Sequence, residues 1–201
     1  MAEKNLDFDT VIDRTHTNSL KYDFAVQRGK PKDVLPLWVA DMDFQVSSYI
    51  QEALSGSVAH GIFGYSEADG SYFEAVAGWM RRHYGWNVEE PWLVKTPGIV
   101  FALAQAVRAF TEPGDAVLLQ QPVYYPFSQV IHDNGRKIVD NTLVQGEDGR
   151  YRIDFTDFEE KIRSAHVKLF FLCNPHNPVG RVWTKEELLR LGDICERYGV
   201  I

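Results

Sequence analysis

Residues 167–187 read VKLFFLCNPHNPVGRVWTKEE, and this stretch decides the fold. Its first seven residues, Val167–Cys173, are almost all apolar, which predicts a buried strand. Two X-Pro steps follow and predict a rigid loop, because the residue before a proline avoids the helical region of backbone space. Thr184 with Glu187 three residues later is typical of a capping box, which predicts the start of a helix. The stretch is therefore a strand, a rigid loop and a helix.

The same alternation extends upstream of that stretch. Short apolar runs predict three more strands, at residues 92–96, 116–119 and 137–144. Capping residues and apolar periodicity predict five more helices, at residues 48–58, 71–84, 99–110, 125–133 and 155–164. Capping boxes at Ser48 and Ser71 are expected to begin the first two. Helices that alternate with short apolar strands predict the α/β class, with a mostly parallel sheet sandwiched by helices.

Composition and charge exclude several functions. The chain has 201 residues, 45% hydrophobic and 24% charged, which is typical of a globular protein and not of a disordered one. A net charge of −7 without basic clusters disfavours nucleic-acid binding. No apolar run is long enough to span a bilayer or to form a secretory signal, so we expect a cytoplasmic protein. Cys173 and Cys195 fit no disulfide or metal pattern and are expected to be buried thiols.

Three junctions between strands and helices are candidate ligand sites, because open α/β sheets bind ligands where their strands end. Gly98-Ile99-Val100 opens a helix whose N–H groups suit a phosphate, although an ordinary turn explains the same residues. In Tyr124-Tyr125, one ring could face a flat ligand or pack in the core. The amides of Asn174 and Asn177 could donate to a ligand or bond their own turn. His176 is expected to be a structural residue of this loop, and the other five histidines to be surface residues.

Five motifs in a fixed order carry a resemblance to a known family. They are PLWVADMDF at 36–44, Gly64-Tyr65, TPGIV at 96–100, QPVYY at 121–125 and NPHNPVG at 174–180. The set resembles the class I/II aminotransferases, the fold type I enzymes that use pyridoxal 5'-phosphate (PLP). Within them the chain is most similar to the MalY/PatB branch, the cystathionine β-lyase type of C–S lyases.

The resemblance covers essentially the whole chain and implies how it is organised. The implied architecture is the PLP-dependent transferase fold type I, an α/β fold whose mixed, mostly parallel sheet lies between helices. Residues 1–47 would contribute to the small domain and to the dimer and active-site edge. Residues 48–201 would form the N-terminal, incomplete part of the PLP-binding large domain.

The resemblance also implies which residues bind the cofactor and the substrate. Gly98-Ile99-Val100 would hold the phosphate with backbone N–H groups. Tyr124 would stack on the pyridine ring, and Asn177 would hydrogen-bond the phenolic oxygen. Tyr65 would reach the phosphate of the neighbouring subunit, which implies a homodimer with shared active sites. The N–H of Ala40 would meet the carboxylate of the substrate, a small sulfur amino acid. No metal, nucleic acid or membrane partner is expected.

No catalytic residue is assigned to this chain, because the resemblance places the Schiff-base lysine beyond Ile201. The strand expected at Val200-Ile201 stops after two residues, so we expect the chain to be part of a longer protein. The complete protein is expected to be a PLP-dependent C–S β-lyase that converts cystathionine or cysteine S-conjugates to a thiol, pyruvate and ammonia by α,β-elimination. One alternative is an aminotransferase on the same fold. Another is an inactive fragment, or a regulatory or binding protein.

Overall fold

The computed structural model describes residues 7–201, which form two compact units, 7–72 and 73–201. Each unit is described by itself. Residues 1–6 belong to the predicted N-terminal segment and lie outside the described residues, and the predicted domain boundary after residue 47 stays a prediction. None of the helices in the described part of the chain has the length and apolar character that a bilayer crossing requires.

The first unit contains helix α1, Ser48–His60, which follows a 3₁₀ turn at Val26–Arg28. The predicted helix is confirmed, but its N-cap is Ser47 and not Ser48. The Ser47 side chain accepts a hydrogen bond from the Tyr49 N–H, and so satisfies one of the free donors of the first turn. No residue of α1 is buried.

The second predicted helix is confirmed as α2, Gly70–Tyr84, but its capping residue differs from the predicted one. Asp69 takes the capping position that we predicted for Ser71. Its Oδ1 accepts from the Ser71 N–H at 2.9 Å and from the Ser71 hydroxyl at 2.5 Å. The helix ends where Gly85 adopts a φ of +63°.

The second unit is built on a parallel sheet. Strand β1, Ala116–Leu119, lies between β2, Lys137–Asp140, and β5, Leu169–Phe170. Strands β3, Val144–Gln145, and β4, Tyr151–Arg152, form a separate antiparallel pair. The predicted strand at 116–119 is confirmed at both ends.

Three of the strand predictions need correction. The run 92–96 is not a strand: Trp92 ends a 3₁₀ helix, Glu90–Trp92, and residues 93–96 belong to no helix or strand. The run 137–144 is not one strand: β2 ends at Asp140, whose side chain accepts the Gln121 N–H, and Val144 begins β3. The strand predicted at Val167–Cys173 is shorter than expected.

Helices cover both faces of the parallel sheet. The helices are α3, Ile99–Phe110; α4, Pro126–Asp133; α5, Phe155–Ala165; and α6, Lys185–Tyr198. On one face, Val117 and Leu119 of β1 pack with buried residues of α3 and α4. On the other face, Ala116 and Leu118 pack with Phe158 of α5 and with α6. Successive strand residues alternate between the faces, and the predicted α/β sandwich is confirmed.

The predicted start of α6 is also confirmed. The Thr184 hydroxyl accepts from the Glu187 N–H at 3.2 Å, and the Glu187 carboxylate accepts from the Thr184 N–H at 2.8 Å. These two bonds form the predicted capping box. Gly199 ends the helix with a φ of +66°. Ile201 then lies along β5, where its carbonyl accepts the Phe170 N–H at 2.8 Å.

Candidate functional site

Two of the predicted junctions meet at one edge of the sheet. Strands β1 and β5 are parallel and so end at the same edge. Segment 120–125 follows β1, and segment 171–180 follows β5. The imidazole Nε2 of His176 lies 3.1 Å from the Gln120 carbonyl oxygen and 3.1 Å from that of Pro122. The two segments are therefore in direct contact.

Helices α3 and α4 bring their amino ends to this edge. At their carboxyl ends, the Arg108 Nε donates to the Asn134 side-chain oxygen at 2.6 Å. The Gly114 N–H donates to the Gly135 carbonyl at 2.9 Å, just before the chain enters β1. These carboxyl ends thus lie at the amino edge of the sheet. The amino ends, with Gly98 at one and Tyr125 at the other, point toward the opposite edge, where β1 and β5 finish.

Helix α3 begins without a side-chain cap. Its N-cap is Gly98, and no side chain accepts a hydrogen bond from its first turn. The Ala102 N–H bonds to the Gly98 carbonyl at 3.0 Å, and those of Ile99, Val100 and Phe101 have no partner in the described chain. By contrast, α1, α5 and α6 each have a side-chain cap. Free N–H groups at the positive end of a helix dipole suit an anion such as a phosphate.

Tyr124 lies at the same edge, at the end of a row of three aromatic rings in contact. Its ring centroid lies 6.4 Å from that of Phe127, and the Phe127 centroid lies 5.6 Å from that of Phe171. Tyr124 keeps 40% of its surface exposed, whereas Phe171 is buried. The ring is thus supported from the core and partly open to solvent, which allows a flat ligand to stack on it.

The two asparagines of the second segment differ in their contacts. The Asn174 side-chain oxygen accepts the Trp183 N–H at 3.1 Å, so Asn174 fixes the loop. The side chain of Asn177 is exposed and makes no hydrogen bond within residues 7–201. The structural alternative holds for Asn174, and donation to a ligand stays a prediction for Asn177. Asn177 is the amide that remains able to donate to a ligand.

His176 belongs to the structure of the loop, as predicted, and its side chain is almost completely buried. Its ring packs edge-on against Trp183 at 5.4 Å between centroids. Burial lowers the pKa of His176, because a desolvated imidazole binds a proton less well. The five other histidines are exposed, as predicted: His16, His60, His83, His132 and His166.

The two cysteines are half-buried, so the prediction of buried thiols is wrong for both. The Cys173 sulfur accepts the Asn177 N–H at 3.4 Å and belongs to the loop that carries Asn177. Burial raises the pKa of the Cys195 thiol to about 11. Among residues 7–201, no group of three His, Cys, Asp or Glu side chains could hold a metal ion.

Ala40 and Tyr65, the other predicted site residues, lie in the first unit. The Ala40 N–H makes no hydrogen bond within the described residues. Val39, just before it, has a φ of +64°, a left-handed conformation that is uncommon for a β-branched residue. Tyr65 is fully exposed. The structure therefore leaves both the Ala40 N–H and the Tyr65 side chain available for a ligand.

A cluster of two cations and two carboxylates, which the sequence analysis missed, holds the segment around Ala40. The buried Lys21 Nζ lies 3.1 Å from an oxygen of Asp41 and 3.2 Å from one of Asp43. The Arg14 guanidinium lies 2.7 Å and 2.6 Å from the same two carboxylates. Hydrogen bonds from Arg14, and then from Lys21, hold the pKa of both carboxyls below its usual value. No local spacing signals this cluster, because the partners are 20 to 29 residues apart.

Comparison with known proteins gives relatives along almost the whole chain. Cystathionine beta-lyase PatB of Bacillus subtilis (strain 168) is 48% identical over 195 residues, which are 97% of this chain and 50% of that protein. Protein MalY of Escherichia coli (strain K12) is 32% identical over 195 residues, which are 96% and 50% of the two chains. The crystal structure of cystalysin from Treponema denticola, which contains PLP, has a TM-score of 0.90 at 37% identity and covers 98% of this chain and 50% of that one.

The chain thus spans about half the length of the curated relatives it matches. The family model described as Aminotransferase class I and II matches residues 32–201. That range includes the segment around Ala40 and the edge formed by α3, β1 and β5. The chain belongs to the class I and II aminotransferase family.

Proposed function

We propose that the complete protein is a PLP-dependent C–S β-lyase. It would cleave cystathionine or cysteine S-conjugates by α,β-elimination and release a thiol such as homocysteine, pyruvate and ammonia. The observation that carries this proposal is the 48% identity to a cystathionine β-lyase along 97% of the chain. We further propose that the enzyme works in the cytoplasm as a homodimer with shared sites.

The residues at the sheet edge fit PLP by their donor chemistry. The uncapped start of α3, Gly98-Ile99-Val100, would bind the phosphate through its free N–H groups. The partly exposed ring of Tyr124 would stack on the pyridine ring, and the unbonded amide of Asn177 would donate to the phenolic oxygen. When bound, PLP supplies a ring that stabilises negative charge at the Cα of an amino acid.

Two residues of the first unit are also proposed to bind ligand groups, as the resemblance implies. The free N–H of Ala40 would bind the substrate carboxylate. The exposed Tyr65 would donate its hydroxyl to the phosphate in the neighbouring subunit. The lysine that moves the Cα proton is expected beyond Ile201, as the resemblance implies. No residue of this chain is proposed for that step.

The test is turnover of cystathionine by the full-length protein with PLP and without a keto acid. Equal amounts of pyruvate and thiol, measured in coupled and colorimetric assays, are expected. Asn177→Ala should lower kcat/KM about 100-fold, as expected for the loss of one well-placed hydrogen-bond donor. Asn134→Ala, at the opposite edge of the sheet, is the matched control and should leave kcat/KM unchanged. No pyruvate from the wild-type protein would contradict the lyase proposal.

Transamination is the second candidate, because the family that matches the chain is named for aminotransferases. The two reactions differ in the fate of the charge at Cα. Elimination would release the β-substituent as a thiol, whereas transamination would pass the amino group of the substrate to a keto acid. Turnover that requires a keto-acid acceptor and releases no thiol would favour transamination.

A further inference from the structure

His176 joins the two segments that carry the proposed cofactor contacts. Regular pairing between β1 and β5 ends at Phe171, whose N–H donates to the Leu118 carbonyl at 2.9 Å. Beyond that point, within the described residues, segments 120–125 and 171–180 are hydrogen-bonded to each other through the His176 imidazole alone. Tyr124 belongs to the first segment and Asn177 to the second. The distance between these two side chains therefore depends on His176.

The geometry determines how the imidazole makes this connection. Its Nε2 lies 3.1 Å from the carbonyl oxygens of Gln120 and Pro122, and both are acceptors. Nε2 must therefore carry the proton and donate. The ring is almost completely buried, and this burial lowers its pKa, which favours the neutral form of the imidazole.

The backbone of His176 is fixed as firmly as its side chain. Its N–H donates to the Arg181 carbonyl at 2.6 Å, and its carbonyl accepts the Gly180 N–H at 2.8 Å. These bonds close the loop immediately beside Asn177. A displacement of the His176 ring is thus transmitted to the neighbouring Asn177, because the loop between them has little freedom.

We propose that His176 is a positioning residue that sets the spacing between the ring of Tyr124 and the amide of Asn177, by donating its Nε2–H to the carbonyls of Gln120 and Pro122. This inference rests on the proposed PLP function of those two residues. His176 itself touches neither cofactor nor substrate in this scheme. It acts by holding segments 120–125 and 171–180 at a fixed distance from each other.

The test compares variants of the full-length protein whose side chain at position 176 places its N–H donor at different distances from the backbone. The amide nitrogen of His176→Gln extends about as far as Nε2, whereas that of His176→Asn stops near the position of Nδ1. His176→Met is a second variant without the donor. Phe158→Leu, in the core on the other face of the sheet, is the control for a general loss of stability.

Two readouts separate positioning from folding. The first is hydrogen–deuterium exchange of PLP-free protein in peptides covering 118–127 and 172–183. We expect about 10-fold faster exchange in both peptides for His176→Asn and His176→Met, and rates near wild type for His176→Gln and Phe158→Leu. The second is the Kd for PLP, measured by the absorbance of the bound cofactor. It should rise about 10-fold in the same two variants, with rescue by His176→Gln.

Three other results would overturn the proposal. Faster exchange confined to 172–183 would mean that His176 acts only on its own loop. An unchanged Kd for PLP in a folded His176→Asn or His176→Met variant would mean that the spacing does not matter. If neither folds while His176→Gln does, the bond is a requirement of folding and not a positioning contact. Failure of the wild-type protein to bind PLP would instead contradict the proposed function.

Discussion

We expect Asn141→Leu to destabilise the protein through the loss of a buried polar network. Asn141 follows β2 and is completely buried. Its side-chain oxygen accepts from the Gln120 amide at 2.9 Å. Its amide donates to the Asp154 carbonyl at 3.0 Å and to the Asp157 carboxylate at 2.8 Å. Leucine has the same branched shape, with two methyl groups in place of the amide oxygen and nitrogen, and can make none of these three hydrogen bonds.

The size of this loss of stability depends on whether each former partner of Asn141 can form another hydrogen bond after the substitution. Gln120 is 1% exposed and its oxygen already lacks a partner, so its orphaned amide costs about 1–3 kcal/mol. Asp154 and Asp157 are partly exposed and can bond water, so each lost bond costs about 0.5–1.5 kcal/mol. Burial of the leucine methyl groups should offset about 1 kcal/mol of this loss. We expect a net loss of about 3 kcal/mol in the free energy of unfolding.

A double-mutant cycle in urea unfolding, followed by tryptophan fluorescence, isolates this effect. Gln120→Leu removes the orphaned amide, so Gln120→Leu/Asn141→Leu should be less destabilised than the sum of the single variants by at least about 1 kcal/mol. A loss below about 0.5 kcal/mol in Asn141→Leu would refute the reasoning. Strictly additive single and double variants would refute it as well.

Three further predictions concern other parts of the fold. Thr184→Ala removes the capping box of α6 and should cost about 1 kcal/mol in urea unfolding, whereas Thr184→Ser should restore most of it. Phe158→Ala, at a position with 0% exposure, should cost about 3–5 kcal/mol in the same assay, and a cost below about 1 kcal/mol would mean that the site collapses without a cavity. The pKa of Cys195 is raised to about 11, so only about one Cys195 side chain in a thousand is the reactive thiolate at pH 8. Iodoacetamide should therefore label Cys195 slowly, at a rate that rises about tenfold per pH unit up to the pKa. Rapid labelling of Cys195 in the folded protein would contradict this.

Much of the fold could be predicted because its signals are local. The helix at 99–110 and the strand at 116–119 have the predicted bounds, since each is a short apolar pattern between turn residues. The capping box of Thr184 needs only two residues three apart in sequence. The alternation of such elements was sufficient for the α/β class.

The errors arise where distant residues decide the local structure. At the end of β2, the Asp140 side chain accepts the N–H of Gln121, which is 19 residues away in sequence. The different contacts of Asn174 and Asn177 depend on the Trp183 N–H, which the sequence does not place near either amide. The cluster around Lys21 likewise joins residues that no pattern connects. Such choices follow from packing of the whole unit and not from neighbouring residues.

Because α3 begins without a side-chain cap, small anions that bind at its start should raise the thermal stability of the protein. A side-chain cap ordinarily contributes about 1 kcal/mol, and Gly98 provides none. An anion bound there at 100 times its Kd would contribute about 2.7 kcal/mol. Phosphate or sulfate in the storage buffer would then partly substitute for the missing cap. Protein prepared without cofactor should therefore keep longer in phosphate than in an amine buffer of the same pH and ionic strength.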